Sequence, residues 1–201
     1  MRQIPGIIKT LWRTPVWRMN PSEKAIYLTF DDGPNPVVTP QVLDILDEFD
    51  AKATFFCVGE NVQKYPRWFE EVKRRGHGVG NHTFNHIKGY ENTVKTYMEN
   101  VWKADECIHS TLFRPPHGRI KQRQITALKQ NFRIIMWDFI TYDYDAKVTP
   151  DKILAEVKKR SRNGSIVIFH DSLKAEKNVL TALPEVLKFW KEEGYEMKLI
   201  G

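Results

Sequence analysis

Two neighbouring carboxylates at the end of an apolar run are the first residues in this chain whose types and spacing could do chemistry. Asp31 and Asp32 follow Ala25-Ile26-Tyr27-Leu28-Thr29-Phe30, which reads as a buried strand, and a Gly33-Pro34 turn comes at once after them. Adjacent like charges raise each other's pKa unless a cation or a donor intervenes. A metal ion taken by one carboxylate, with the other left free, relieves that conflict; a solvated Asp-Asp-Gly turn is the plain alternative. His82 and His86, four residues apart, can aim two imidazoles at one point. With one carboxylate they make a His-His-Asp set that leaves positions open for water and substrate. A metal there lowers the pKa of bound water, and a free carboxylate nearby can act as base. His170 ends the most apolar run of the chain, Ser165-Ile166-Val167-Ile168-Phe169, and is placed to protonate a leaving group.

These residues need elements to position them, and the sequence alternates strand and helix throughout. After the Gly-Pro turn, Thr39-Pro40 reads as a helix cap and first position, with Val42, Leu43, Ile45, Leu46 and Phe49 as the apolar stripe. Further strands are expected over Lys52–Val58, Gly78–His82, Thr111–Phe113, Arg133–Trp137, Ser165–Phe169 and Tyr195–Ile200. Helices are expected over Pro66–Arg75, along Val94 to Ile108, around Ile125 and Leu128, after a second Thr-Pro start at Thr149-Pro150, and along Val179 to Trp190. An acidic, aromatic loop runs from Asp138 to Asp145. This alternation predicts a parallel sheet of βα units. About seven units fall short of the eight in a full barrel of about 250 residues, so a distorted, incomplete α/β barrel of the (β/α)7 type is the expected fold. No glycine-rich phosphate fingerprint follows the first strand, which argues against a dinucleotide-binding sheet. The unusual polar residues each follow a strand: Asp31 and Asp32, His82 and His86, Arg114, Asp143 and His170. In a βα barrel those strand ends share one face.

The chain has 201 residues, 41% of them hydrophobic, enough for one sizeable core. No apolar run approaches the length of a bilayer span, so no transmembrane segment is expected. The net charge of +6 is spread along the chain, without the clustered basic and aromatic face of a nucleic-acid binder, and it suits an acidic glycan. Cys57 lies in an apolar run and Cys107 on a helix, a pair without disulfide-framework spacing. Residues 1–23 lack the pattern of a signal peptide, which points to the cytoplasm. They read as an N-terminal extension packing on the barrel, with Trp12 and Trp17 as anchors to the fold or, less simply, to a membrane surface, and 24–201 as the catalytic domain. Nothing in the sequence specifies an oligomeric state.

Four stretches in order resemble motifs of the NodB-type polysaccharide deacetylases (carbohydrate esterase family 4). They are Thr29-Phe30-Asp31-Asp32-Gly33-Pro34, His82-Thr83-Phe84-Asn85-His86, Arg114-Pro115-Pro116-His117-Gly118 and Ile168-Phe169-His170-Asp171. The resemblance covers about residues 24 to 200. It implies a distorted (β/α)7-type barrel and hydrolysis of N-acetyl, less often O-acetyl, groups on a glycan such as peptidoglycan or N-acetylglucosamine oligomers. The metal it implies is divalent, commonly Zn2+, with Co2+, Ni2+ or Mn2+ as substitutes. By the same resemblance Asp32, His82 and His86 are the metal ligands and Asp31 is the general base, paired to Arg114. His170 is the general acid, oriented by Asp143. The backbone N–H of His117 helps to stabilise the oxyanion, Ile168 lines the pocket for the acetyl methyl, and Tyr144 stands on the sugar-contacting wall.

Three departures bear on substrate choice. His117 replaces an aromatic residue, mostly Tyr, and in the run Ile140-Thr141-Tyr142-Asp143-Tyr144 the family's first Asp is absent and Tyr144 stands where Trp is usual. Two other functions compete with glycan deacetylation: hydrolysis of an amide or ureide on a small molecule, and glycan binding without catalysis. The second needs the base or the acid missing, and both Asp31 and His170 are present.

Overall fold

The computed structural model describes residues 14–201; Trp12 and the rest of 1–13 lie outside the described residues. At the centre is β1 (Ala25–Asp31), buried along all seven residues. Such a strand must have neighbours on both edges and cover on both faces. β2 (Thr54–Cys57) lies on one side and β7 (Ser165–His170) on the other, both parallel to it. The sheet continues outward through β3 (Gly78–Asn81), β4 (Leu112–Phe113) and β5 (Arg133–Ile134) on the first side and β6 (Phe139–Ile140) on the second. Its order is β5-β4-β3-β2-β1-β7-β6, with the short β8 (Glu196–Met197) pairing the start of β1.

That order forces the sheet to curl. β5 and β6 are its two edges, yet only Ile135 to Asp138 separate them in sequence. Six strand spacings of about 4.8 Å would put the edges of a flat sheet roughly 29 Å apart. Five Cα steps reach about 18 Å at most. The result is the expected incomplete barrel, with no ladder between β5 and β6. The N-terminal segment stitches this seam. Val16 donates to Ile134 O and accepts from Met136 N–H, both at 2.8 Å, and Met19 N–H donates to Gly164 O at 2.8 Å. Trp17 is buried, edge-on to Trp137 with ring centroids 6.4 Å apart.

Helices cover the outer face: α1 (Val38–Glu48), α2 (Gly59–Lys64), α3 (Pro66–Arg74), α4 (Val94–Ile108), α5 (Gln122–Leu128), α6 (Pro150–Arg160) and α7 (Glu176–Glu192). The main core lies between them and the sheet, where Leu28, Phe30, Phe55 and Phe169 meet Val42, Leu46, Leu183 and Trp190. Cys57 is buried, Cys107 partly buried, and both are free thiols.

Three expectations from sequence need correction. Arg133–Trp137 is not one strand: the chain leaves β4 after Ile134 and crosses the seam. It begins a new strand at Phe139, inside the stretch expected to be loop, so there are eight strands rather than seven among the described residues. Asp143 therefore follows β6, not the fifth strand. Thr39 does not cap α1. Asn35 Oδ1 takes the N–H groups of Val37 and Val38 at 2.9 and 3.1 Å, while the Thr39 hydroxyl turns inward to Asp171. The C-terminal strand is only Glu196–Met197, not Tyr195–Ile200. Thr149, by contrast, caps α6 as expected, accepting from Lys152 N–H with Pro150 at the first turn.

Candidate active site

The strand ends do converge. Asp31 and His170 are the last residues of β1 and β7, His82 follows β3 directly, and Arg114 follows β4 directly. They open into a cleft of about 870 Å³ whose lining includes Asp31, Asp32, His82, His86, His117, Tyr144, Ile168 and His170. Arg114 and Asp143 stand behind that lining.

Arg114 is fully buried and each of its three guanidinium nitrogens is engaged. Nη1 donates to Asp31 Oδ1 at 2.6 Å and Thr29 Oγ1 at 2.7 Å, Nη2 donates to Met136 O at 3.1 Å and Nε to Ile135 O at 3.3 Å. The group also lies over the Phe56 ring at 4.0 Å. A buried charge is tolerated only when paired and hydrogen-bonded in this way. Burial lowers the Arg114 pKa and Asp31 opposes that shift. The same residue acts a second time through its backbone: His82 Nδ1–H donates to Arg114 O at 2.7 Å, which fixes the tautomer and leaves Nε2 as a lone-pair donor.

That Nε2 lies 3.7 Å from Asp32 Oδ1, and His86 Nε2 lies 3.1 Å from the same oxygen. One potential ligand atom from each of Asp32, His82 and His86 falls within 4.8 Å of the other two. Two imidazoles and a carboxylate, without thiolates, suit a divalent ion such as Zn2+ in an open catalytic site. Burial drives the His82 pKa down to about 4, so it is held neutral, as a ligand must be. Burial acts to raise the Asp32 pKa, but the hydrogen bond from His86 and the neighbouring imidazoles outweigh it and hold the carboxyl far below its ordinary value.

The three clustered residues sit on constrained backbone. Asp32 has φ +81°, and the turn between the histidines is not helical: Thr83 has φ +63° and His86 φ +54°. Each such residue costs about 1–3 kcal/mol and persists only when its surroundings over-determine it. Asn61 Nδ2 holds Asp32 O at 2.7 Å, Asn81 Oδ1 takes Thr83 N–H at 2.9 Å, and Asn100 Oδ1 takes Phe84 N–H at 2.8 Å.

His170 is held by both oxygens of one carboxylate. Asp143 Oδ1 accepts from Nδ1–H and Oδ2 from the His170 backbone N–H, both at 2.7 Å. Asp143 is itself placed by Asn178, whose Nδ2 donates to Asp143 O at 2.9 Å and Val148 O at 3.0 Å. Burial opposes a charge on His170, but Asp143, followed by Asp32 and Asp31, overcomes it and raises the pKa to about 9. Tyr144 stands edge-on to the His170 ring, centroids 4.8 Å apart.

His117 lies in the left-handed region at φ +56°, and its N–H has no acceptor among the described residues. Its ring packs 4.7 Å from that of His86, so the side chain contributes to the wall beside the ligand cluster. Gly118, at φ +65°, leaves room for Trp137: a Cβ there would fall 2.4 Å from the indole. Ile168 pairs in register with Ile140, and both line the cleft.

Sequence reasoning missed several groups. Thr29 receives Arg114 and donates to Val167 O at 2.8 Å; a Thr preceding two acids by two residues was the only sign of it. Asn61, on the unanticipated α2, carried no signal because its bond to Asp32 exists only once β1 and β2 lie side by side, and Trp137 carried none because its place depends on the crossing from β5 to β6. Asp171 was noted only as the neighbour of His170.

A cleft at the carboxyl ends of an unclosed parallel barrel, lined by a His-His-Asp cluster, a carboxylate on a buried arginine and a histidine on a buried aspartate, defines a hydrolase-type site. Residues 18–132 match the polysaccharide deacetylase family, and the chain belongs to that family. A peptidoglycan-N-acetylglucosamine deacetylase of Bacillus cereus is 33% identical over 192 residues, covering 92% of this chain and 90% of that protein. A chitooligosaccharide deacetylase of Azorhizobium caulinodans is 32% identical over 162 residues, 77% of each chain. Among solved structures, a peptidoglycan N-acetylglucosamine deacetylase in complex with 4-naphthalen-1-yl-N-oxidanyl-benzamide superposes with a TM-score of 0.88 at 30% identity, over 92% of this chain and 89% of that one. No helix among the described residues is long and apolar enough to cross a membrane.

Proposed function

We propose that this polysaccharide deacetylase removes the acetyl group from N-acetylglucosamine units of a peptidoglycan-type glycan, using Zn2+ held by Asp32, His82 and His86. The observation that carries the reading is the pairing of a carboxylate and an imidazole on adjacent strand ends, each with an opposite kind of partner behind it. Asp31 is fixed to a buried arginine and His170 to a buried aspartate. A carboxylate held by a guanidinium and an imidazole held by a carboxylate supply a base and an acid to one site.

A bound Zn2+ would polarise the amide carbonyl and lower the pKa of water. Asp31 Oδ1 is occupied by Arg114, so Oδ2 is the oxygen that takes the proton of the attacking water. The N–H of His117 is free to donate to the carbonyl oxygen as negative charge develops there. His170 keeps Nδ1 on Asp143, so Nε2–H gives its proton to the amine nitrogen as the C–N bond breaks. Acetate and a free amino sugar result. Ile168 and Ile140 offer the apolar surface for the methyl group, and Tyr144, partly exposed, offers a wall for a sugar ring.

The test is acetate release from peptidoglycan and from N-acetylglucosamine oligomers by metal-stripped protein and by protein reloaded with Zn2+. Release that depends on the metal and is greater on peptidoglycan is the expected result. Zinc-loaded protein that releases acetate from neither would overturn the reading and turn attention to small-molecule amides.

A further inference from the structure

Asp171 is completely buried, carries a carboxylate, and plays no part in the chemistry above. Its Oδ2 accepts from the Thr39 hydroxyl at 2.6 Å, and Thr39 Oγ1 in turn accepts from Asn35 N–H at 2.7 Å. Its own N–H donates to Asp31 O at 3.2 Å. Oδ1 of the carboxylate is buried without a hydrogen-bond partner among the described residues. Gly33 brings its bare Cα against that group so closely that a Cβ would lie 2.0 Å from Oδ2.

Asp171 therefore touches the residue before Asp32 through the backbone and the residue after it through the carboxylate. Asp32 lies between these two contacts with a φ of +81°, a conformation that a non-glycine residue keeps only under constraint. Thr39 ties the assembly to the first turn of α1, which follows the Asp-Asp-Gly-Pro turn in sequence. A carboxylate buried at this depth costs stability, and this one receives a single side-chain hydrogen bond, from Thr39, so its place against the turn is kept at a cost to the fold. We infer that Asp171 and Thr39 are positioning residues for the metal centre: they clamp the Asp31–Gly33 turn so that Asp32 presents its carboxylate toward His82 and His86. This rests on the reading of Asp32, His82 and His86 as the metal-binding set.

The experiment is a chelator-competition measurement of Zn2+ affinity on metal-free wild type, Thr39→Val, Thr39→Ser and Asp171→Asn, with thermal unfolding of each metal-free protein alongside. Thr39→Val keeps the volume and removes the donor. Thr39→Ser keeps the donor. Asp171→Asn keeps the shape but removes the negative charge packed against Gly33. Groups that orient a ligand typically contribute 10–100-fold in metal affinity, so about that loss is expected for Thr39→Val and Asp171→Asn, with Thr39→Ser close to wild type. If Thr39→Val and Asp171→Asn melt earlier yet bind Zn2+ within twofold of wild type, the clamp serves only the fold and the inference is wrong. Should Thr39→Val fail to fold, the soluble Asp171→Asn and Thr39→Ser proteins decide by the same comparison. A wild type that binds no Zn2+ refutes the ligand assignment itself, a different failure from an unaltered affinity in the variants.

Discussion

Asp31 and His170 are register partners, the last pair of the ladder between β1 and β7. Adjacent strands lie about 4.8 Å apart and paired residues of a parallel ladder project to the same face, so this one pairing sets the proposed base and the proposed acid side by side. Neither loop length nor side-chain flexibility enters the spacing. What differs between the two is the partner behind each: a guanidinium for Asp31 and a carboxylate for His170.

The pH profile follows from that difference. His170 must be protonated to act, and its pKa is raised to about 9, so activity should fall as pH rises through about 9. Asp143→Asn removes the charge that outweighs burial and should bring this limb down toward or below neutrality. Rate measurements from pH 6 to about 10 on both proteins check it; a limb that stays in place in the variant would count against the assignment. The linkage sign agrees: a raised pKa means that the contribution of His170 to stability is complete below its unfolded value of about 6.5 and is lost as pH rises through the folded one.

Replacing the base should separate chemistry from metal binding. Asp31→Asn keeps an oxygen for Arg114 but cannot take a proton, and a loss of about 10²–10⁴-fold in kcat is expected. Zn2+ affinity should change only a few-fold, because Asp31 is not one of the three clustered ligands. Affinity that collapses along with activity would show Asp31 to be a ligand.

In acid the metal-free protein should weaken through His82. Its folded pKa is about 4 against an unfolded value of about 6.5, so the unfolded chain binds more protons in that interval and stability falls as pH drops through it. Urea unfolding of the metal-free protein at pH 7, 5 and 4 should show this decline, and His82→Phe should flatten it. Zn2+ should protect, since it binds the neutral ring.

Gly118→Ala tests the wall behind His117. A methyl there meets the Trp137 indole at 2.4 Å and must adopt φ +65°, which together should cost about 1–3 kcal/mol in stability. Because Trp137 lines the cleft, kcat/KM on glycan should fall further than Zn2+ affinity does. Chemical denaturation and a kinetic comparison on one substrate would measure both.

How much was legible in the sequence depended on whether the signal was local. Tandem acids after an apolar run, a helix opened by Thr149-Pro150, and the helix along Val94 to Ile108 are patterns within one element, and they read correctly. The convergence of strand ends could also be read, since topology brings them together whatever the side-chain detail. Thr39 misled because Thr-Pro is a good cap pattern, and only the distant Asp171 draws its hydroxyl away. The split of Arg133–Trp137 from Phe139–Ile140 was hidden for a similar reason: two-residue strands are shaped by the neighbours they find, not by their own propensity. Arg114 Nη1 and Thr29, 85 residues apart, meet only once the sheet exists.

The stitched seam has a consequence for how small the enzyme can be made. Val16 on β5 and Met19 at Gly164 before β7 span the gap between the two sides of the wall, and Trp17 backs Trp137, which in turn rests on Gly118 beside the proposed oxyanion donor. Every residue proposed as acid, base or ligand lies after residue 24, so trimming to that point removes none of them. The trimmed chain is nevertheless expected to lose kcat and unfold earlier than a version starting at Thr14, which acetate release and thermal melts would show. A minimal catalyst carved from this fold has to keep its fastener as well as its tools.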